Sequence, residues 1–128
     1  MRTRRMLCTY ALLTACVALC GCASSLNDAQ GKREALYEMG TLKASISAPV
    51  NRVYEAAQQT LKDLDLATLG AKQDGIAAEL LSRNAQGQEI AIRLGALPDS
   101  KTQLHIHVGM FGDKNKSIVL LRHIKDNL

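Results

Sequence analysis

The chain has 128 residues with 16 basic and 12 acidic side chains, a formal net charge of +4 and a pI near 9.0, and this length has room for one domain at most. Three of the basic residues, Arg2, Arg4 and Arg5, lie in a segment that we expect to be cleaved, which leaves 13 Lys and Arg against 12 Asp and Glu. The remaining charges alternate in sign without a basic block, so the composition excludes an electrostatic footprint for nucleic acid.

The amino terminus has the pattern of a secretory signal peptide, in which basic residues precede an uncharged stretch from Met6 to Asn27. It continues into Leu19-Cys20-Gly21-Cys22, a lipobox. The small Gly21 gives the peptidase access to the bond, and the Cys22 thiol accepts the diacylglycerol. We therefore predict that residues 1–21 are a lipoprotein signal peptide and that the mature chain begins with a palmitate-bearing Cys22.

Two alternatives to cleavage before Cys22 stay open. Leu13-Thr14-Ala15-Cys16 is a second lipobox, but its apolar region from Leu7 to Leu12 is shorter than the usual range of about 7–15 residues. An uncleaved membrane anchor would need ~20 apolar residues, and residues 6–22 are fewer and include Thr, Tyr and Gly. Cys16 is thus the alternative lipidation site.

The position of the cysteines limits the chemistry of the mature domain. All four, Cys8, Cys16, Cys20 and Cys22, lie within the first 22 residues. A mature chain that keeps only an acylated Cys22 has no disulfide, no thiolate nucleophile and no cysteine-based metal site. No cofactor is expected. Because Ala23 and not Asp follows Cys22, we expect a lipid anchor on the periplasmic face of the outer membrane of a Gram-negative host.

The predicted elements begin after a lipidated tether, residues 22–39, in which Asp28 to Glu38 has helical character. From residue 40 onward we predict one domain that ends at residue 128. Strict alternation from Thr41 to Ser47 predicts a half-buried strand. Pro49 suits the first position of a helix. The predicted apolar face of this helix is formed by Val50, Val53, Tyr54, Ala57, Leu61 and Leu64.

Four strands and a helix are predicted next. Leu66 to Lys72 is a weaker strand, and Asp74-Gly75 is a hairpin signal. The later predicted strands are Ile76 to Arg83, a strand through Ile90, Ile92 and Leu94, and Thr102 to Met110. The last helix is predicted from about Lys114 to Leu128, with an apolar face of Ile118, Leu121, Ile124 and Leu128.

The order β-α-β-β-β-β-α predicts an α+β fold. Short connections after the first helix make the strands antiparallel neighbours. A sheet with one apolar face needs a cover, and the two helices are the candidates. We therefore expect an antiparallel sheet with both helices on one face.

Two segments carry a resemblance to a known family. Tyr37-Glu38-Met39-Gly40-Thr41-Leu42-Lys43-Ala44 resembles the Tyr-x-x-Gly-x-Leu-x-Ala motif of a family of small bacterial lipoproteins of unknown function, and Val53-Tyr54-Glu55-Ala56 also matches. Val108-Gly109-Met110-Phe111-Gly112-Asp113, with Ser117-Ile118 after it, is similar to that family's closing segment. The resemblance covers roughly residues 37–128 and departs at His107, where the family usually has Arg. It implies the fold and the lipid anchor but no activity.

His105 and His107 are the candidate metal ligands. Residues i and i+2 of a strand point to the same face, so both imidazoles could reach one ion. Two ligands do not complete a zinc site, which needs four. The third histidine, His123, lies on the last helix and cannot join them if that helix covers the opposite face. The alternative interpretation is two polar side chains on the solvent face of the sheet.

The glycine-rich segment from Gly109 to Asp113 lacks the Lys-Ser/Thr ending of a phosphate-binding loop. We expect its glycines to permit a sharp turn, Asp113 to cap the last helix and Ser117 to lie in its first turn. Phe111, the single phenylalanine, is expected to fill the edge of the core.

Glu79, Arg83, Arg93 and His107 are predicted to share the open face of the sheet and to form a partner surface. The chain has three Tyr, one Phe and no Trp, so the face lacks the aromatic residues of a strong interface or of single-stranded nucleic-acid binding.

No nucleophile beside a base and no paired carboxylates in a cleft are recognisable, so an enzyme is not expected. The leading hypothesis is a binding or structural lipoprotein with an envelope protein partner. The alternatives are a weak metal-binding protein that uses His105 and His107, and a hydrolase of envelope components.

Overall fold

The computed structural model describes residues 25–27 and 33–128 of the chain. The predicted signal peptide and both candidate lipidation sites lie outside the described residues, as do residues 28–32 of the predicted helical stretch. The described elements are β1 (Ser25–Asn27), β2 (Arg33–Glu38), β3 (Thr41–Ile46), α1 (Val50–Asp63), β4 (Ala67–Gln73), β5 (Ala77–Arg83), β6 (Glu89–Leu97), β7 (Lys101–Val108) and α2 (Lys114–Asp126).

The strands form one antiparallel sheet in the order β1-β2-β3-β7-β6-β5-β4. Six of them lie within residues 33–128, and the three-residue β1 extends the sheet beyond β2. Strands β4 to β7 are consecutive neighbours, because their connections are too short for anything but hairpins. Helix α1 carries the chain across the sheet from β3 to β4. The predicted α+β class, with two helices and an antiparallel sheet, is confirmed.

Both helices pack on the same face of the sheet. Helix α1 contacts β5 and β6, helix α2 contacts β3 and β7, and the helices contact each other. In β7 the residues that face them alternate with the half-buried Gln103, His105 and His107. The sheet residues buried beneath the helices include Leu42, Ala44, Ile46, Ala78, Leu80, Ile90, Ile92, Leu94, Leu104, Ile106 and Val108.

The buried face of α1 is shifted slightly from the predicted one. Val50, Val53, Ala57 and Leu61 are buried as predicted, whereas Tyr54 and Leu64 are only partly buried. Ala56 and Thr60 are buried in addition. The Thr60 hydroxyl donates to the Ala56 carbonyl at 2.9 Å, which satisfies a polar group inside the core. Pro49 is the N-cap in extended conformation, so the helix begins one residue later than predicted.

Helix α2 begins at Lys114, as predicted, and Leu121 and Ile124 of its predicted apolar face are buried. Ser117 and Leu120 are buried in addition. Ile118 is half-buried and Leu128, beyond the end of the helix, is exposed, so the prediction that Leu128 belongs to the apolar face is wrong. The angle at which α2 lies on β3 and β7 decides which of the neighbouring apolar positions face the sheet.

The prediction of a helix reaching Glu38 is wrong over Arg33–Glu38, which is strand β2. In β2, Ala35 lies opposite Ala44, and Tyr37 lies opposite Leu42. Ala35 is 3% exposed and Tyr37 packs against the core. The strand is favoured because β3 offers an unpaired edge whose N–H and C=O groups need partners. The folded domain therefore begins before residue 40, at β2 and with β1 as a further edge strand.

Strand β4 is the opposite edge of the sheet, and all seven of its residues are exposed. It confirms the weaker strand predicted between Leu66 and Lys72. The pairing with β5 skips Leu69, which marks a bulge, a common feature of edge strands. The hairpin that follows is held by Asp74, whose carboxylate accepts hydrogen bonds from the N–H groups of Ile76 and Ala77. These two bonds lower the pKa of Asp74 below its usual value.

Candidate functional site

The face of the sheet opposite the helices, called here the open face, brings together charged side chains from four strands. Lys43 of β3 lies beside His105 of β7, His105 beside Arg93 of β6, and Arg93 beside Glu79 of β5. Directly opposite residues of antiparallel strands have Cβ atoms about 4.5–5.5 Å apart, so their side chains interact. The sheet register therefore places residues that are distant in the sequence side by side, in one row across the strands.

Three cations of the open face are paired with carboxylates. Arg93 Nε lies 2.9 Å from Glu79 Oε1, and Lys43 Nζ lies 3.2 Å from Glu38 Oε2. In a neighbouring row, Arg83 pairs with Glu89 at 2.9 Å. The predicted partner residues Glu79, Arg83, Arg93 and His107 thus share one face, but only Glu79 and Arg93 contact each other directly.

His105 lies between two cations, Lys43 and Arg93. Burial and the neighbouring charges of Lys43 and Arg93 lower the pKa of His105 below its ordinary value of 6.5. The Nε2 atom of His105 is buried and has no hydrogen-bond partner. The imidazole is therefore neutral at neutral pH, and the two flanking cations would repel a metal ion as they repel a proton.

His107 lies at the centre of two adjoining cavities on the open face. Its Nδ1 atom lies 3.2 Å from the Thr41 hydroxyl. The larger cavity, of about 700 Å³, extends toward the β7–α2 loop and is lined by Leu81, Arg83, Gly87, Gln88, Glu89, Ala91, His107, Gly109, Met110 and Phe111. The second, of about 420 Å³, extends toward β3 and shares Ala91 and His107 with the first. Together they form a groove that is lined by apolar side chains such as Leu81 and by charged side chains such as Arg83 and Glu89.

The two candidate metal ligands, His105 and His107, do point to the same face. His123 belongs to α2, and the sheet separates that helix from them. Within the described part of the chain, no group of three or more His, Cys, Asp or Glu side chains is arranged to hold a metal ion. The groups beside the histidines are a lysine, an arginine and a threonine, which are poor companions for a cation site.

On the open face, the Thr41 hydroxyl and the His107 imidazole are the pair that most resembles a nucleophile and its base. A working pair of this kind needs a third group that orients the base. In residues 33–128, no carboxylate is hydrogen bonded to His107. Ser117, the other hydroxyl considered, donates to the Asp113 carbonyl at 2.7 Å in the first turn of α2, as predicted.

The β7–α2 loop confirms one prediction and contradicts another. Gly109 and Gly112 have φ values of 72° and 86°, which glycine adopts without strain, and Asp113 caps α2 by accepting a hydrogen bond from the Lys116 N–H at 3.0 Å. Phe111 does not fill the edge of the core, because its side chain is 88% exposed. Its neighbour Met110 is 85% exposed. The sharp turn that the glycines allow directs both side chains outward.

The β7–α2 loop lies against the β2–β3 turn. A Cβ on Gly40 would lie 2.6 Å from the Phe111 carbonyl oxygen, and a Cβ on Gly112 would lie 2.6 Å from the Tyr37 hydroxyl and collide with the Gly40 backbone. Met39, beside Gly40 in the turn, is 95% exposed and has a positive φ of 48°. This close contact between two glycines joins segments some 70 residues apart in the sequence, and the sequence gives no sign of it beyond the glycines themselves.

The family of the chain is established by comparison. A model of the family described as "Protein of unknown function (DUF3568)" matches residues 5–127. The chain belongs to this family. The two segments that carried the resemblance, Tyr37 to Ala44 and Val108 to Asp113, are the ones that meet at the Gly40–Gly112 contact.

Other comparisons add little to the family assignment. No curated protein matches the chain. Among solved structures, the chain is similar to the di-domain ARO/CYC StfQ from the steffimycin biosynthetic pathway, with 14% identity and a TM-score of 0.43. The similarity covers 67% of this chain and 42% of that protein, so the chain spans less than half of its length. Among the residues that the structure describes, neither helix has the length and apolar character needed to span a membrane.

Proposed function

We propose that the chain is a non-enzymatic binding module, held by a lipid on Cys22 at the periplasmic face of the outer membrane, that binds an envelope protein through its open face. The observation that carries this proposal is the groove around His107. Both helices are used to cover the other face of the sheet, which leaves this groove accessible to a partner.

The chemistry of the groove favours a protein partner over a small metal ion or a nucleic acid. Its rim carries charges of both signs, as in the Arg83–Glu89 and Arg93–Glu79 pairs. Leu81 and Ala91 form part of the lining between these pairs. An interface with a small apolar centre and a polar, charged rim is the common pattern in protein complexes.

The anchor is supported by the signal-peptide pattern and by the lipobox that ends at Cys22. The family match begins at residue 5, so it includes this amino-terminal segment. Stable anchoring needs more than one acyl chain, because a single chain binds membranes only marginally. A diacylglycerol on Cys22 supplies two chains, and lipoproteins of this kind carry a further one on the amino group.

The binding role is tested by cross-linking in intact cell envelopes. The double variant R93A/H107A removes an arginine and a histidine from the open face, and R122A/H123A removes the same residue types from the helical layer. We expect R93A/H107A to lose the cross-linked partner and R122A/H123A to retain it, with both variants folding normally. Retention of the same cross-links by a folded R93A/H107A variant would exclude the open face as the partner surface.

The anchor is tested by palmitate labelling and membrane fractionation of the wild type, C22S and C16S. We expect only C22S to lose the label and to leave the membrane fraction. Labelling that persists in C22S and disappears in C16S would place the lipid on Cys16. Absence of label in the wild type would contradict the lipoprotein proposal.

A further inference from the structure

Three large apolar side chains lie almost fully exposed at one end of the sheet. Met39 is 95% exposed, Met110 is 85% exposed and Phe111 is 88% exposed. Met39 belongs to the β2–β3 turn and the other two to the β7–α2 loop, and these two segments are held against each other by the Gly40–Gly112 contact. Single exposed apolar residues are common, but a group of three on adjoining loops marks a site of interaction.

The chain enters the sheet near this same end. Strand β1 begins at Ser25, which lies opposite Leu36, and the end of β2 that follows Leu36 leads directly into the turn that carries Met39. Cys22 precedes Ser25 by three residues. Three residues span at most about 11 Å between Cα atoms, so the proposed lipid is attached close to the point where β1 begins.

We infer that this end of the sheet faces the lipid bilayer and that Met39, Met110 and Phe111 insert into its interfacial region. The inference rests on the proposed lipidation of Cys22, which brings the bilayer to this end of the domain. Exposed apolar and aromatic side chains are stabilised in the membrane interface. There the side chains are removed from water, while the polar backbone of the loops can still form hydrogen bonds. The acyl chains then supply the anchor, and the three side chains fix how the domain is oriented.

This orientation has a consequence for the open face. The strands run away from the membrane, so the groove around His107 opens sideways, beside the bilayer surface. Phe111 and Met110 line the larger cavity of that groove as well. A partner bound there would therefore lie close to the membrane and would itself be an envelope protein at the same surface.

The chain contains no tryptophan, so a single introduced indole reports on one position. The full-length lipidated protein is prepared as F111W and as I76W and reconstituted in vesicles of phosphatidylethanolamine and phosphatidylglycerol, with and without brominated acyl chains. Ile76 is the matched control because it is 72% exposed and lies in the β4–β5 turn, at the other end of the sheet. Both positions are exposed, so neither substitution disturbs the core.

We expect the fluorescence of F111W to shift to shorter wavelength on reconstitution and to be quenched by the brominated chains, and that of I76W to show neither change. Equal behaviour of the two variants, in protein that carries the palmitate label and floats with the vesicles, would overturn the orientation and leave the anchor in place. A shift in F111W without bromine quenching would indicate a protein contact and would overturn it also. Protein that carries no label and does not float would overturn both proposals.

Discussion

The two faces of the sheet are built by the same strands yet differ in what they do. On the covered face, β7 contributes Leu104 and Ile106, both 0% exposed, to a core that the helices complete. On the open face, the neighbouring residues His105 and His107 are half-buried and polar. The alternation of side chains along a strand therefore divides the sheet into an apolar face that the helices cover and a polar face that stays in contact with water.

The two faces also differ in the interactions that stabilise them. The covered face depends on close packing of apolar side chains, in which a lost methyl group leaves a cavity. The open face depends on cross-strand pairs such as Arg93–Glu79, which remain in contact with water and contribute little to stability. Substitutions on the two faces should thus differ strongly in their effect on the free energy of unfolding.

The largest effect is expected for Ile106→Ala on the covered face. Truncation of a fully buried isoleucine removes its burial and leaves a cavity, which should lower the free energy of unfolding by about 2–5 kcal/mol. Gln103→Ala, on the same strand but facing outward, should change it by less than about 0.5 kcal/mol. Urea denaturation of both variants measures the difference. Similar losses in the two would contradict the assignment of the faces.

The next largest effect concerns the Gly40–Gly112 contact, where the β2–β3 turn lies against the β7–α2 loop. Gly112→Ala and Gly87→Ala both place a side chain at a positive φ, of 86° and 80°, and this strain costs about 1–2 kcal/mol. Only at Gly112 does the Cβ also collide with neighbouring atoms, whereas Gly87 has open space around it. We expect Gly112→Ala to lower the free energy of unfolding by about 1–3 kcal/mol more than Gly87→Ala, as measured by urea denaturation. Equal decreases in the two variants would show that the Gly40–Gly112 contact is not close.

A smaller effect is expected for the Arg93–Glu79 pair of the open face. The side chains of Arg93 and Glu79 are 70% and 42% exposed, so the pair is in contact with water. A double-mutant cycle with Arg93→Ala and Glu79→Ala should give a coupling energy of about 0.2–1 kcal/mol that falls with added salt. A coupling energy of several kcal/mol would mean that the pair is shielded from water, and would contradict its assignment to a solvent-exposed face.

The smallest effect is the pH dependence that His105 contributes. Its pKa in the folded chain is lowered below 6.5, mainly by burial and then by Lys43 and Arg93. The unfolded chain therefore binds the proton more readily. The stability contribution is present above pH 6.5 and is lost as the pH falls from 6.5 through the folded pKa. Denaturation of the wild type and of His105→Gln across this pH window measures the free energy of unfolding, which should fall less steeply with decreasing pH in the variant. If the free energies of the two proteins change in parallel with pH, the lowered pKa of His105 is contradicted.

Much of the covered face could be predicted from the sequence. The alternation in Thr102–Val108 and the spacing of Val50, Val53, Ala57 and Leu61 depend only on the local period of the chain. The same alternation placed Glu79, Arg83, Arg93 and His107 on one face, because a strand's side chains alternate whichever strand it pairs with. The groove around His107 could not be predicted, because it depends on which strands are neighbours in the sheet.

Predictions from the sequence are wrong where contacts between distant segments decide the local structure. Arg33–Glu38 is rich in residues that favour helices, yet it is a strand because β3 presents a free edge and Ala35 fills a place in the core. The sequence predicts Phe111 in the core, because phenylalanine is usually buried. The turn set by Gly109 and Gly112 directs it outward instead.

The α+β class, most of the helix and strand positions, the polar residues of the open face and the capping of α2 by Asp113 could all be predicted from local patterns in the sequence. These depend on periodicity and on local hydrogen bonds within a few residues. Three features become visible only in the folded chain: the strand β2, the contact between Gly40 and Gly112, and the exposed group of Met39, Met110 and Phe111. These depend on packing and pairing between segments far apart in the chain, which no local pattern specifies.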